Sequence, residues 1–124
     1  MINFPNRKIS DTLLQFAEPL TNGLGPNATR VQLEQVLKIS WMIWNAVVYA
    51  DVAKNDSALN ELRSTFAIDP HSKDLLDRMV RNKRQSFADD QRLIGEYEFY
   101  EKDGEMRLRA EARDPLTNRE SNAS

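Results

Sequence analysis

The side chains that could carry acid–base or metal chemistry are few in this sequence. His71 is the only histidine, and the chain has no cysteine. A zinc site needs several nitrogen, sulfur or carboxylate ligands, and a nucleophilic triad needs a base that a third group orients. A single histidine at the start of a predicted helix supplies neither. We therefore predict no catalytic residue, no bound metal and no cofactor.

Adjacent carboxylates at Asp89 and Asp90 form a second candidate, within the segment SFADDQR at 86–92. Such a pair could bind a hard cation or share acid–base work, but two carboxylates are too few ligands for calcium. Three basic residues lie close to the pair in the sequence: Lys83, Arg84 and Arg92. This composition favours a salt-bridged turn between a helix and a strand.

Basic residues recur on the predicted fourth helix and on a predicted hairpin after it. Those that could contact a partner or a nucleic acid are Arg81, Lys83, Arg84, Arg107 and Arg109. A helix followed by a hairpin suggests a winged helix-turn-helix protein, whose recognition helix enters the major groove. Nucleic-acid binding is therefore one alternative function.

Two observations weigh against that alternative. Arg63 and Lys73 occupy positions that a helix-turn-helix motif gives to a small and to a buried aliphatic residue. Asp77 precedes Arg81 by four positions, so that a helix would already give this arginine a partner. The net charge of -2 is also unlike that of a generic nucleic-acid binder.

Trp41, Trp44 and Asn45 form the third candidate, inside the most apolar stretch of the chain. The tryptophans could line a small-molecule pocket or contact a partner, although filling a helical core is the favoured interpretation. A buried amide without hydrogen-bond partners costs about 1–3 kcal/mol. Asn45 should therefore fasten a loop, fix a dimer register or contact a ligand, whereas Ser40 can bond to its own helix.

Composition limits the class of protein. The chain has 124 residues, enough for one domain with a sizeable core, and 17 basic against 19 acidic residues. The absence of cysteine favours a reducing compartment, and the first residues lack the apolar run of a signal peptide, so we expect a cytoplasmic protein. The apolar stretch at 39–50 would span roughly 18 Å as a helix, well short of a ~30 Å bilayer core. We therefore expect no membrane segment.

Four helices are predicted from apolar spacing and capping residues. The first starts after Ser10 and ends near Pro19, before a loop at 21–28. The second starts near Asn27 or Thr29 and reaches about Val52, with apolar residues that face inward on all sides. The third covers 57–67 after a cap at Asn55 or Asp56, and the fourth starts with Asp69 as N-cap and Pro70 at its first position.

The hydrophobic period then changes to two, which predicts a β-hairpin. Strands at 93–102 and 105–113 flank Asp103-Gly104, a dipeptide typical of a type I′ turn. Registering the strands about this turn places Phe99 opposite Leu108, and it places two glutamates opposite each other, Glu96 and Glu111. One face then collects the apolar side chains: Tyr97, Phe99, Met106, Leu108, Ala110 and Ala112.

These patterns predict a mainly α fold of the α+β class. Three or four helices surround a buried central helix, and a C-terminal β-hairpin follows, with 1–113 as a single domain and 114–124 as a polar tail. Because a lone hairpin leaves two strand edges unpaired, we expect a non-enzymatic interaction or assembly module that self-associates as a homodimer or binds another protein. The alternatives are a winged-helix nucleic-acid-binding regulator and a small-molecule-binding domain.

Overall fold

Six elements follow one another in the part of the chain that this computed structural model describes, residues 8–115. They are α1 (Ile9–Leu24), α2 (Arg30–Asp51), α3 (Ser57–Phe66), α4 (Pro70–Ser86), β1 (Leu93–Lys102) and β2 (Glu105–Arg113). The predicted α+β class, mainly helical with a C-terminal hairpin, is confirmed. The predicted N-terminal arm and polar tail lie largely outside the described residues. None of the described helices combines the length and the apolar character needed to cross a membrane.

Helix α2 lies at the centre, where it packs against α1, α3, α4 and β1. Its buried residues run from Leu37 to Ala50, and α1 adds Leu13 and Phe16 to the same core. The prediction that all apolar residues of α2 face inward is wrong for two of them. Val31 is 62% exposed in the first turn, and Met42 is 39% exposed at the border with α3.

Side-chain hydrogen bonds to backbone N–H groups mark where three of the helices begin. Thr29 accepts a hydrogen bond from the Gln32 backbone N–H at 3.1 Å, and the Gln32 side chain accepts one from the Thr29 N–H at 2.9 Å. This reciprocal capping box satisfies two N–H groups at the start of α2. Asp69 accepts the Ser72 N–H at 2.8 Å before α4, and Asn55 accepts the Ser57 N–H at 3.0 Å before α3.

Helix α1 differs from its prediction at both ends. It begins at Ile9, so that Ser10 lies within the first turn and is buried, and it continues through Pro19 to Leu24. A proline inside a helix removes one hydrogen bond. Helix stability in proteins comes mainly from packing of an apolar face, and the buried face of α1 extends up to the proline. Gly25 follows the last residue of the helix, and its φ of 80° suits glycine.

The hairpin has the predicted register between its turn and Tyr97. Phe99 pairs with Leu108, and Asp103 and Gly104 have φ angles of 54° and 78°, as a type I′ turn requires. Of the predicted apolar face, four members are half-buried against the bundle, in a sheet that has two strands within residues 8–115: Tyr97, Phe99, Leu108 and Ala110. The predicted face is therefore the one that packs on the helices.

The base of the hairpin contains a bulge that was not predicted. The register shifts between Ile94 and Tyr97, so that Ile94 pairs with Ala112 rather than with Arg113. Glu96 is consequently not in a regular pair with Glu111, which corrects the predicted contact between the two. A bulge reverses the side on which the following residues point. It therefore places Ile94, paired with Ala112, on the face that packs on the helices, where Ile94 is almost fully buried.

Substitution by alanine should have opposite effects on stability at Gly104, which has a positive φ, and at Gly23, which lies in a helix. Gly104→Ala should lower the free energy of unfolding by about 1 kcal/mol, because an L-residue is strained in this conformation. Gly23→Ala should raise it by roughly 0.5–1 kcal/mol, because Gly23 lies in α1 with open space where the new methyl group would sit. Urea denaturation of both variants checks the prediction, and effects of the same sign would contradict it.

Candidate functional site

Three polar groups on α2 hold the base of the hairpin. The indole N–H of Trp44 donates to the carbonyl oxygen of Arg92 at 2.7 Å, and that of Trp41 donates to the carbonyl of Ile94 at 2.7 Å. Asn45 binds Ile94 twice, with its Nδ2 donating to the carbonyl and its Oδ1 accepting the backbone N–H, both at 2.8 Å. Asn45 therefore has the structural role of fastening a segment, one of the three roles expected for it.

Trp44 lies in the solid core. It has no exposed surface, and its ring stacks edge-to-face with Phe16 and Phe87 at centroid distances of 5.3 and 5.6 Å. No space for a ligand is left beside it by the described residues, so the predicted pocket does not include Trp44. Ser40, expected to bond to its own helix, is also fully buried, and its Oγ has no partner among the described residues.

Trp41 and Asn45 do border a groove between α2 and α3. The groove has a volume of about 380 Å³, within the range of small-molecule sites. Most of its lining is apolar, and its main contributors are Trp41, Met42, Tyr49, Leu62 and Phe66. Two of the three predicted pocket residues, Trp41 and Asn45, therefore line an open groove, and the Asn45 side chain there is hydrogen-bonded to β1.

Lys83 is buried, although it was predicted as a surface contact. Its Nζ donates to the carbonyl oxygens of Phe87 and Asp90, at 3.0 and 2.9 Å, and lies 4.4 Å from the centroid of the Trp44 ring. Burial lowers the pKa of Lys83 to about 8, and the Asp90 carboxylate opposes part of that shift. Lys83 therefore closes the turn after α4 and is not available to a partner.

Asp90 and Arg92 form a buried, bidentate ion pair. Arg92 Nε and Nη2 lie 2.9 and 2.7 Å from the two carboxylate oxygens of Asp90. The predicted salt-bridged turn is thus present, but Arg84 is not part of it, because Arg84 pairs with Asp51 at 2.9 Å. Within residues 8–115, no group of three or more histidine, aspartate and glutamate side chains could hold a metal ion.

The remaining predicted contacts are spread over two parts of the surface. Arg81 is exposed on α4, whereas Arg107 and Arg109 lie on β2, with Arg109 bound to Glu98 at 2.7 Å. The hairpin packs mainly on α1 and α2, and α4 packs mainly on α2 and α3. The structure therefore does not unite these cations into one basic surface.

The two outer edges of the hairpin differ, which sequence reasoning did not identify. On β1, both backbone groups of Ile94 are taken by Asn45, and the carbonyl of Phe99 accepts a hydrogen bond from Arg30 at 3.2 Å. On β2, alternate residues direct their N–H and C=O groups away from β1. These residues are Met106, Leu108, Ala110 and Ala112, and no other element in residues 8–115 hydrogen-bonds to their backbone. We call this row of groups the β2 edge.

Comparisons with protein-family models, with curated proteins and with solved structures found no match for this chain. Its function is therefore inferred from its own surfaces. The candidates are the β2 edge and the groove between α2 and α3.

Removal of the Asn45 amide should weaken the attachment of the hairpin. Asn45→Ala leaves the buried N–H of Ile94 without its partner, so the free energy of unfolding should fall by about 1–3 kcal/mol. Hydrogen exchange of the Ile94 amide should accelerate. Asn60→Ala, on the exposed side of α3, is the matched control and should change stability by less than about 0.5 kcal/mol. Equal stability of the two variants would show that Asn45 does not fasten β1.

The lowered pKa of Lys83 predicts a pH-dependent contribution to stability. Between the folded pKa of about 8 and the ordinary lysine pKa of 10.5, the unfolded chain holds more protons at this group than the folded chain does. The free energy of unfolding contributed by Lys83 should therefore rise with pH across this window, by up to roughly 3 kcal/mol.

Lys83→Met removes the titrating group and provides the comparison. Urea denaturation of both proteins at several pH values between neutrality and the ordinary lysine pKa should show the stability of the wild type rising relative to that of the variant above about pH 8. Groups that titrate alike in both proteins cancel in this difference. A difference that stays constant or falls with pH would contradict the burial of a charged ammonium.

Proposed function

We propose that this chain is a non-enzymatic interaction or assembly module of the cytoplasm that associates with a second copy of itself. The observation that carries the proposal is the β2 edge, a row of backbone donors and acceptors on a hairpin whose base is firmly attached to the bundle. Exposed strand edges are templates for pairing with another strand. A rigid base lowers the entropic cost of presenting such an edge.

The arrangement of the hairpin supports pairing with an identical chain. A two-stranded sheet is marginal in stability by itself, and here its apolar face is only half-buried. A symmetric pair of copies would convert two such sheets into one of four strands, and two-fold dimers are the commonest oligomers. The same surface then serves both partners.

The residues that first suggested chemistry support a structural interpretation. The Lys83 ammonium binds two carbonyl groups, and Asp90 and Arg92 bind each other in the interior. Groups held in this way are not poised for proton transfer to a substrate. An interaction module requires no such groups.

The two alternative functions have less support. Of the cations predicted to contact a nucleic acid, Lys83 is buried, and Arg84 and Arg109 are bound to carboxylates. Small-molecule binding retains one favourable observation, the apolar groove beside Met42. If an apolar fluorescent dye failed to enter that groove, this second candidate would be removed.

Solution mass tests the proposal directly. Light scattering at high protein concentration should give a mass near twice 14.3 kDa, which should fall towards 14.3 kDa on dilution. Ala110→Pro removes an N–H group from the β2 edge but no hydrogen bond between β1 and β2, so it should shift the protein to the monomer while circular dichroism shows an intact fold.

Met42→Lys is the control for association through the groove and should leave the mass unchanged. If the wild type remained at 14.3 kDa at every concentration, self-association would be excluded. If Met42→Lys alone produced the monomer, the association would be assigned to the groove instead of the β2 edge.

A further inference from the structure

The charged residues along the solvent-facing side of β2 follow an unusual order. The residues on this side are Glu105, Arg107, Arg109, Glu111 and Arg113, all of which are exposed. They lie on the face opposite to Met106 and Leu108, which face the bundle. Apart from the central Arg109, the charges from Glu105 to Arg113 run negative, positive, negative, positive. The same series results when these four charges are read in the opposite direction and each sign is reversed.

This order matches an antiparallel partner of the same sequence. When two β2 strands run antiparallel about an axis at Arg109, Glu105 of one copy lies opposite Arg113 of the other. Arg107 lies opposite Glu111 in the same way, and each of these pairs occurs twice. Opposite charges directly across a strand pair stabilise it, and like charges destabilise it.

We propose that two copies of this chain pair antiparallel through the β2 edge, with Arg109 at the two-fold axis. The inference rests on the proposed function and specifies its partner and register. The result is a four-stranded sheet in the order β1, β2, β2 and β1. Because the even-numbered residues of both β2 strands share one face, both helical bundles lie on the same side of that sheet.

The backbone geometry of the β2 edge agrees with this register. Leu108 and Ala110 direct their N–H and C=O groups outward, and an axis at Arg109 places Leu108 of one copy opposite Ala110 of the other. These residues can then exchange two hydrogen bonds on each side of the axis. The backbone groups of Arg109 point towards β1, so they are not needed by the partner strand.

Neighbouring registers are disfavoured by charge. An axis at Leu108 would place Glu105 opposite Glu111 and Arg107 opposite Arg109. An axis at Ala110 would place Arg107 opposite Arg113. An axis at Arg107 avoids like pairs other than Arg107 itself, but it pairs only residues 105–109 of the strand. The charges on β2 therefore select a single extended register.

Two ion pairs between these charged residues are already formed along β2 in the monomer. Arg107 lies 3.5 Å from Glu105, and Arg113 lies 2.9 Å from Glu111, each along the same strand. In the proposed dimer, the Glu105–Arg107 ion pair of one copy lies beside the Arg113–Glu111 ion pair of the other. Each of these four charges then faces a charge of opposite sign on the partner strand. Arg109 is held by its own Glu98, which lessens the repulsion between the two Arg109 side chains at the axis.

Pairing through β1 lacks these properties. Asn45 and Arg30 occupy backbone groups of Ile94 and Phe99 on its outer edge. The strand also carries three glutamates, Glu96, Glu98 and Glu101, against the single cation Lys102. A second copy brought against β1 would therefore meet occupied backbone groups and like charge.

Charge reversal at one predicted cross-copy pair provides the test. Arg107→Glu and Glu111→Arg, each alone, create like-charge pairs on both sides of the axis and should raise the dissociation constant of the homodimer about tenfold or more. The double variant Arg107→Glu/Glu111→Arg should recover the wild-type dissociation constant. Sedimentation velocity measures all three, and thermal melts confirm that each protein is folded.

Mixing the two single variants gives the most specific result. In the heterodimer, the glutamate introduced in the first variant faces the arginine introduced in the second, and the native Glu111 of the first faces the native Arg107 of the second. The mixture should therefore dimerise more tightly than either component does alone. Arg78→Glu and Asp74→Arg are matched charge reversals of an exposed ion pair on α4, and each should leave the dissociation constant unchanged.

The outcomes separate the two proposals. If the wild type is monomeric throughout, the proposed function fails and this inference fails with it. If the wild type dimerises but the double variant and the mixture do not recover dimerisation, the register is wrong although self-association stands. Equal weakening by the α4 control variants would show that net charge, and not cross-copy pairing, controls association.

Discussion

The hydrogen bonds between α2 and the segment from Arg92 to Ile94 are the constraint on which the rest of this structure depends. A strand that follows a helical bundle must satisfy the backbone groups on its outer side, and water is excluded where Leu93 and Ile94 enter the core. Trp41, Trp44 and Asn45 supply those partners from successive turns of one helix. Each bond contributes only about 1 kcal/mol net, but leaving its acceptor or donor buried and unpaired would cost more. The bonds thereby fix both where the hairpin starts and how it is oriented.

The structural features that are determined by residues adjacent in the sequence could be predicted from it. Asp69-Pro70 determines a helix start by capping and by the fixed φ of proline, and Asp103-Gly104 determines a turn and hence a register. The bulge near Gly95 was not predictable in this way, because it brings Ile94 onto the face that packs on the helices, a contact with residues that are distant in the chain. Likewise, Pro19 was expected to end α1, but the helix continues past it to Leu24.

In the candidate site too, the features set by a single residue type were predictable, and those set by contacts between distant residues were not. A partner for Asn45 was required by burial alone, but nothing local to Asn45 identified Ile94, which lies far along the chain. Lys83 was grouped with surface cations because lysine is seldom fully buried. The structure encloses it because the turn after α4 presents two carbonyl oxygens that need donors, and one ammonium satisfies both. Residue type indicated polarity, and only the three-dimensional arrangement showed which polar groups face each other.

The unequal edges of the hairpin have a consequence for the size of any assembly. Because side chains of α2 occupy backbone groups along the outside of β1, a sheet that has joined through β2 exposes only its obstructed flanks. A further chain would then find no continuous free strand edge to pair with, and assembly would stop at a closed oligomer of defined size. The residues that fasten the hairpin to the helices would in this way also protect the protein from open-ended fibril formation.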